Sequence, residues 1–223
     1  MSTSPADPAR YNSFVGDLLG VLAYGELSAF ERLSSDARYA PTLHERAVLG
    51  RIAVIEFQHY EQVSARLDDM GRDPEVAMLP FQPSVDHFHQ RTRPADWFEA
   101  LMKAYVIDTV SADFYRAVAG YVDTPTRELA ERIQADKEVT SLLRDRLTAA
   151  LADDPRLASR LALWARRLLG EVLAQARRVS FEHAFLSGLA GLDGEPFREL
   201  VRELTAQLAA SHSLRMTQLG LAG

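Results

Sequence analysis

The chain has 223 residues, 47% of them apolar and 25% charged, with a formal net charge of −6 and no cysteine. These values suit a single globular domain and exclude disulfides, thiolate metal sites and cysteine nucleophiles. The negative balance offers no broad attraction to a phosphate backbone, and no uninterrupted apolar run approaches the roughly 18 residues that span a bilayer.

Residues 1–10 are small and polar with two prolines. They lack the basic and apolar regions of a signal peptide and are expected to form a disordered tail. Residues 11–223 are expected to form one domain, without a membrane partner and in the cytoplasm, a setting that the absence of cysteine suits.

From about Tyr11 to Ser35 the apolar spacing predicts a first helix, with Val15, Leu19, Leu22, Glu26, Phe30 and Leu33 on its buried stripe. Thr42 followed by Glu45 has the form of a capping box opening a second helix, which Met70-Gly71 should close, glycine suiting the position after a helix end. Leu49, Ile52, Glu56, His59, Val63 and Leu67 fall on one face of it. Residues 72–93 carry Pro74, Pro80 and Pro83 and read as a long irregular crossover, with His87 and His89 at a solvent-exposed edge.

The third helix is expected from Pro94 or Asp96 to about Tyr121, its stripe carrying Leu101, Ala104, Asp108, Ala112 and Tyr115. A fourth begins at Thr124-Pro125, proline being favoured at a first helical position, and buries Leu129, Ile133, Asp136, Thr140, Leu143 and Leu147. A fifth follows Asp154-Pro155 with Leu161, Trp164, Leu168, Glu171 and Gln175 inward, and Gly188 and Gly191 punctuate its end. The sixth runs from about Glu195 to Leu219. No segment alternates with the period of a strand, so the fold class is all-α: a four-helix bundle with a long crossover between helices 2 and 3 and two additional C-terminal helices. Apolar Leu214 and Leu219 leave room for a homodimer contact.

Each of the first four helices thus places an acid at a core position near its middle: Glu26, Glu56, Asp108 and Asp136. His59 adds an imidazole one turn from Glu56. Several buried anions are costly unless cations or protons compensate them. One or two divalent ions, iron or manganese by the carboxylate-plus-imidazole donors, would do so. A polar core satisfied by arginine, water and protonated carboxyls would do so as well. Three residues after Asp136, where a second Glu-x-x-His would place a histidine, stands Val139. Glu171 and Gln175 are candidates for an extra ligand or a supporting hydrogen bond, and Tyr115 shares a face with Asp108. Arg166-Arg167 and Arg177-Arg178 form a basic face on the fifth helix.

The stretches Leu22-Ala23-Tyr24-Gly25-Glu26-Leu27, Glu56-Phe57-Gln58-His59-Tyr60 and Ala162-Leu163-Trp164 through Gly170-Glu171 resemble ferritin-like proteins related to the tRNA 2-methylthio-N6-isopentenyladenosine hydroxylase. The resemblance implies a non-haem di-iron oxygenase whose partners are dioxygen and a tRNA-borne or related hydrophobic substrate. By motif position it implies Glu26, Glu56, His59, Asp108 and Asp136 as metal ligands. Val139, and aspartate at two positions where the family pattern has glutamate, depart from that pattern. A metal-poor or metal-free descendant, serving as a binding or structural module, is the alternative.

Overall fold

The computed structural model describes residues 8–134, 137–182 and 195–221. Helix α1 (Pro8–Asp36) leads through a 3-10 turn at Ala37–Tyr39 to α2 (Leu43–Asp69). Two short helices follow, α3 (Pro74–Met78) and α4 (Gln82–Arg91), and then α5 (Trp97–Val118) with a 3-10 extension at Ala119–Tyr121. The remainder is α6 (Thr124–Gln134), α7 (Lys137–Asp153), α8 (Leu157–Glu182) and α9 (Glu195–Gln218). No strand occurs among the described residues, and the all-α class holds.

The ends of α2 follow from local chemistry. Thr42 Oγ1 accepts the backbone N–H of Glu45 at 3.1 Å, satisfying one of the amides left free at a helix start. At the other end Gly71 takes φ +70°. Gly71 N donates to Asp68 O at 2.8 Å and Arg72 N to Leu67 O at 2.9 Å, the paired closure for which a glycine without Cβ is suited. Asp96 caps α5 in the same manner, accepting from Glu99 N at 3.0 Å.

Two expectations about boundaries change. Residues 8–10 belong to α1 rather than to a tail. The crossover is not irregular, because its prolines start helices instead of preventing them. Pro74 and Pro83 occupy the first turns of α3 and α4, where a missing N–H removes no internal bond. His89 consequently lies buried on α4 instead of at an exposed edge.

Helices α1 and α2 pack as one antiparallel pair, α5 packs against α7, and α8 and α9 lie against α5. This places α5 at the centre, and it is buried on nearly every side, Met102, Val106, Thr109 and Asp113 included. Polar ties hold the added helices to it. Trp164 Nε1 donates to Glu99 O at 3.0 Å. Asp113 accepts from Arg116 at 2.9 Å and from Arg215 of α9 at 2.6 Å. Leu219, expected at a surface contact, is buried in the core, while Leu214 is exposed. Taken with its 3-10 turn, α1 is long and apolar enough by composition to cross a bilayer, yet its apolar face is spent on the bundle, from Phe14 to Leu33.

The apolar interior forms two clusters, and the boundary between them falls at one level of the bundle. On α1 it lies between Ala23 and Leu33, on α2 between Ala53 and Val63, on α5 between Val110 and Tyr115, and from α6 to α7 between Ile133 and Val139. Glu26, Glu56 and His59 occupy that level.

Candidate metal centre

Helix periodicity delivers the first pair. Glu56 and His59 are three residues apart on α2, so their side chains share a face, and α1 packed alongside brings Glu26 to the same point. His59 Nδ1 stands 3.6 Å from Glu26 Oε2 and 3.6 Å from Glu56 Oε2. One donor atom from each of the three residues lies within 4.8 Å of the others, a spacing at which two carboxylates and an imidazole can share one cation. Oxygen and nitrogen donors of this kind suit iron or manganese, so the residues present fit a metal ion.

Their electrostatics show how the group is compensated by protons. Burial drives the Glu26 carboxyl well above the usual carboxylate range, against the lowering contact of His59, and the charge of Glu56 pushes it further up. Burial also acts upward on Glu56, but its contacts with His59 and Glu26 outweigh that and hold it below the usual range. Burial would lower His59; the two glutamates reverse this and raise it to about 10. The three groups titrate as a unit. Burial thus favours a proton on Glu26, while the contacts between the three favour an ionised Glu56 beside an imidazolium.

The group forms part of the wall of a cavity of about 320 Å³, whose lining is mostly aliphatic and aromatic, with Ile52, Phe88, Ile107 and Leu143 among its walls. Tyr115 shares the cavity, and burial together with the charge of Glu26 raises its phenol well above the ordinary value. Asp108 also lines it, and Thr140 of α7 donates to Asp108 Oδ2 at 2.5 Å. Asp108 is therefore in the same chamber as the trio but is engaged by a hydroxyl from the facing helix.

The other expected site residues are distributed differently. Asp136 lies outside the described residues. Val139 is buried at 4% exposure in the core, so an aliphatic side chain fills the place of a second histidine. Gln175 is buried, lines the cavity and accepts from Ser84 at 2.8 Å. Glu171 is held elsewhere. Arg91 of α4 bonds both of its carboxylate oxygens at 2.8 Å, and that contact keeps its pKa low against a small effect of burial. Glu171 pins α4 to α8 and does not line the cavity, which corrects its expected place beside the metal ligands.

Lys103 on α5 escaped the sequence reading, and His89 on α4 was expected at an exposed edge; both are buried and line the cavity. A signal existed for Lys103. The chain has 25 basic residues, nearly all arginine, and a lysine between Met102 and Ala104 in an otherwise apolar stretch is unusual within it.

An antiparallel bundle with a helix-borne carboxylate–imidazole group in its core defines a ferritin-like helical protein. The sequence matches the family described as "Ferritin-like domain, actinomycetes" over residues 9–193. The chain belongs to that family. Among curated proteins, none matches the sequence. Among solved structures, one from Synechococcus, described as protein 19 with aldehyde deformylating oxidase activity, has a TM-score of 0.67 at 21% identity, covering 94% of this chain and 97% of that one. At that identity the likeness shows the fold.

Proposed function

We propose that this protein is a ferritin-like, metal-dependent oxidase or oxygenase acting on a small, largely apolar substrate with dioxygen. The observation that carries this reading is the position of Glu26, Glu56 and His59 on the wall of an otherwise apolar chamber. The oxidase activity named for the Synechococcus structure supports it. Glu26, Glu56 and His59 would hold the ion, iron or manganese by donor type, and when bound it would supply dioxygen binding and electron transfer.

The chain's own residues set the conditions for that chemistry. Glu26 and Glu56 provide negative charge that balances a cation, and the same burial that raises Glu26 strengthens the attraction. Tyr115 stays a neutral phenol beside Glu26. The aliphatic walls exclude water and orient an apolar substrate against the site. Val139 removes a nitrogen donor from the α7 side, so one ion bound by the trio is the minimal occupancy.

The narrower reading, a prenylated tRNA adenosine as substrate, has less support. The net charge is −6, and phosphate contacts dominate affinity for nucleic acid. On α8, Arg167 is occupied in donating to Arg91 O at 2.5 Å and in covering the Trp164 ring at 5.4 Å. A metal-free binding protein is the second reading: burial favours a proton on Glu26 and the glutamates favour one on His59, so protons compete with a cation for the same atoms.

Anaerobic loading with ferrous iron followed by dioxygen uptake separates these readings. The oxidase reading predicts uptake that rises on addition of an apolar substrate. A protein that takes up iron but consumes no dioxygen with any such compound contradicts it, and a protein that takes up no metal leaves the binding module.

A further inference from the structure

The cavity is apolar along most of its wall and cationic at one end. Lys103 projects into it from α5 at only 4% exposure. Its ammonium lies 5.6 Å from the centre of the Phe88 ring, and no carboxylate among the described residues pairs with it within 4.0 Å. Arg32 of α1 lines the same end, half-exposed, with its Nη2 4.0 Å from Glu31 Oε2 and its Nε buried without a hydrogen-bond partner among the described residues. His89 of α4 is there too, with Nδ1 likewise unpartnered.

Asp36 faces this group; burial pushes its carboxyl up, while Lys103, Arg38, Arg32 and Arg93 act downward on it. Arg38 and Arg93 are exposed to solvent and Arg32 has Glu31 at 4.0 Å, so the buried charge left without an ion pair is the Lys103 ammonium. An unpaired buried ammonium is costly, and its cost is recovered when an anion enters. The effect on Lys103 agrees in direction: burial lowers it to about 8 although Asp36 opposes the change. His89 is driven by burial and the nearby cations down to about 3, so it is neutral there.

We propose that Lys103 and Arg32 form an anion subsite that holds the carboxylate head of an amphipathic substrate, with the apolar chain lying along the cavity toward Glu26, Glu56 and His59. A single buried ammonium matches a monoanionic carboxylate. The geometry sets its distance from the metal centre. Arg32 lies about 9 Å along α1 from Glu26, and Lys103 lies about 18 Å along α5 from Tyr115, at the rise of an α-helix. The head is thus remote from the trio, and the part of the substrate presented to it is the chain. This names the substrate class for the proposed oxidase and rests on that reading only for what occurs at the far end; the subsite itself requires no metal.

Competition against the neutral fluorescent probe Nile red tests it, with decanoate and decan-1-ol as ligands and the protein both as purified and after chelator treatment. At pH 7 decanoate should bind about tenfold or more tightly than decan-1-ol, the scale of a buried charge-assisted contact, with or without metal. Lys103→Met should abolish the preference and leave decan-1-ol affinity within about twofold; Lys103→Arg should retain it. The preference should fall as pH rises through 8, since Lys103 loses its charge while Arg32, Arg38 and Arg93 keep theirs and His89 and Asp36 do not titrate in that range. Equal binding of the two ligands, binding of neither, or a preference surviving in Lys103→Met overturns the subsite. Lys103→Met that fails to fold leaves the wild-type comparison and its pH profile to decide. Loss of metal binding with the preference intact would strike the oxidase reading alone.

Discussion

His59 Nδ1 on α2 and Glu26 Oε2 on α1 stand 3.6 Å apart, the contact by which the two long antiparallel helices share a buried proton system. A metal ion must displace those protons. Burial favours a proton on Glu26, and the two glutamates raise His59 to about 10. Metal binding at pH 7 should therefore release at least the His59 proton. Calorimetry in buffers of different ionisation enthalpy reads this number. Release near zero would mean that the ion binds elsewhere.

Close packing of α1 against α3 depends on Gly20. A Cβ built there meets Ala77 O at 2.2 Å, a backbone atom that cannot turn aside. Gly20→Ala should destabilise the fold by about 1–3 kcal/mol, overpacking outweighing the gain in helix propensity. Gly50 on α2 has open space around the same position, and Gly50→Ala should stabilise by about 0.5–1 kcal/mol. Thermal melts of the two variants should move in opposite directions.

Acid should weaken the fold through His212 on α9. It is buried with neither ring nitrogen partnered among the described residues, and burial, assisted by Arg215, lowers it to about 4. The unfolded chain takes up the proton near the ordinary value of 6.5 and the folded one does not. The stability it contributes is complete above 6.5 and is lost as pH falls toward 4. His212→Phe should flatten the decline in melting temperature across that interval. An unchanged slope assigns the acid sensitivity to other groups, His89 first.

The Glu171 carboxylate belongs to Arg91 rather than to the cavity. Glu171→Ala should leave metal content unchanged and alter stability only slightly, as solvent-exposed ion pairs do. A drop in bound metal would restore it as a ligand.

The bundle was legible because α1 and α2 each present one apolar face, and period alone places Glu26, Glu56 and His59 on it. On α5 the periodicity carries less information, for a physical reason. A helix surrounded by neighbours has no solvent face, so its stripe of Leu101, Ala104 and Asp108 omits buried Lys103, Thr109 and Asp113. In the crossover, proline content alone suggests irregular chain, whereas position within the first turn makes Pro74 and Pro83 helix starters. Glu171 was misplaced because its periodicity is right but its partner, Arg91, is 80 residues away in sequence. No local pattern reports such a pairing.

The most direct test of the account is metal content after anaerobic reconstitution with ferrous iron and removal of loosely bound ions, compared between the wild type and His59→Ala, with circular dichroism confirming that both are folded. The account predicts at least one iron per chain in the wild type and an affinity lower by more than about tenfold in His59→Ala, since loss of a direct ligand costs no less than loss of a supporting group. Equal iron in the two proteins, or none in the wild type, would contradict the assignment of Glu26, Glu56 and His59 as a metal centre.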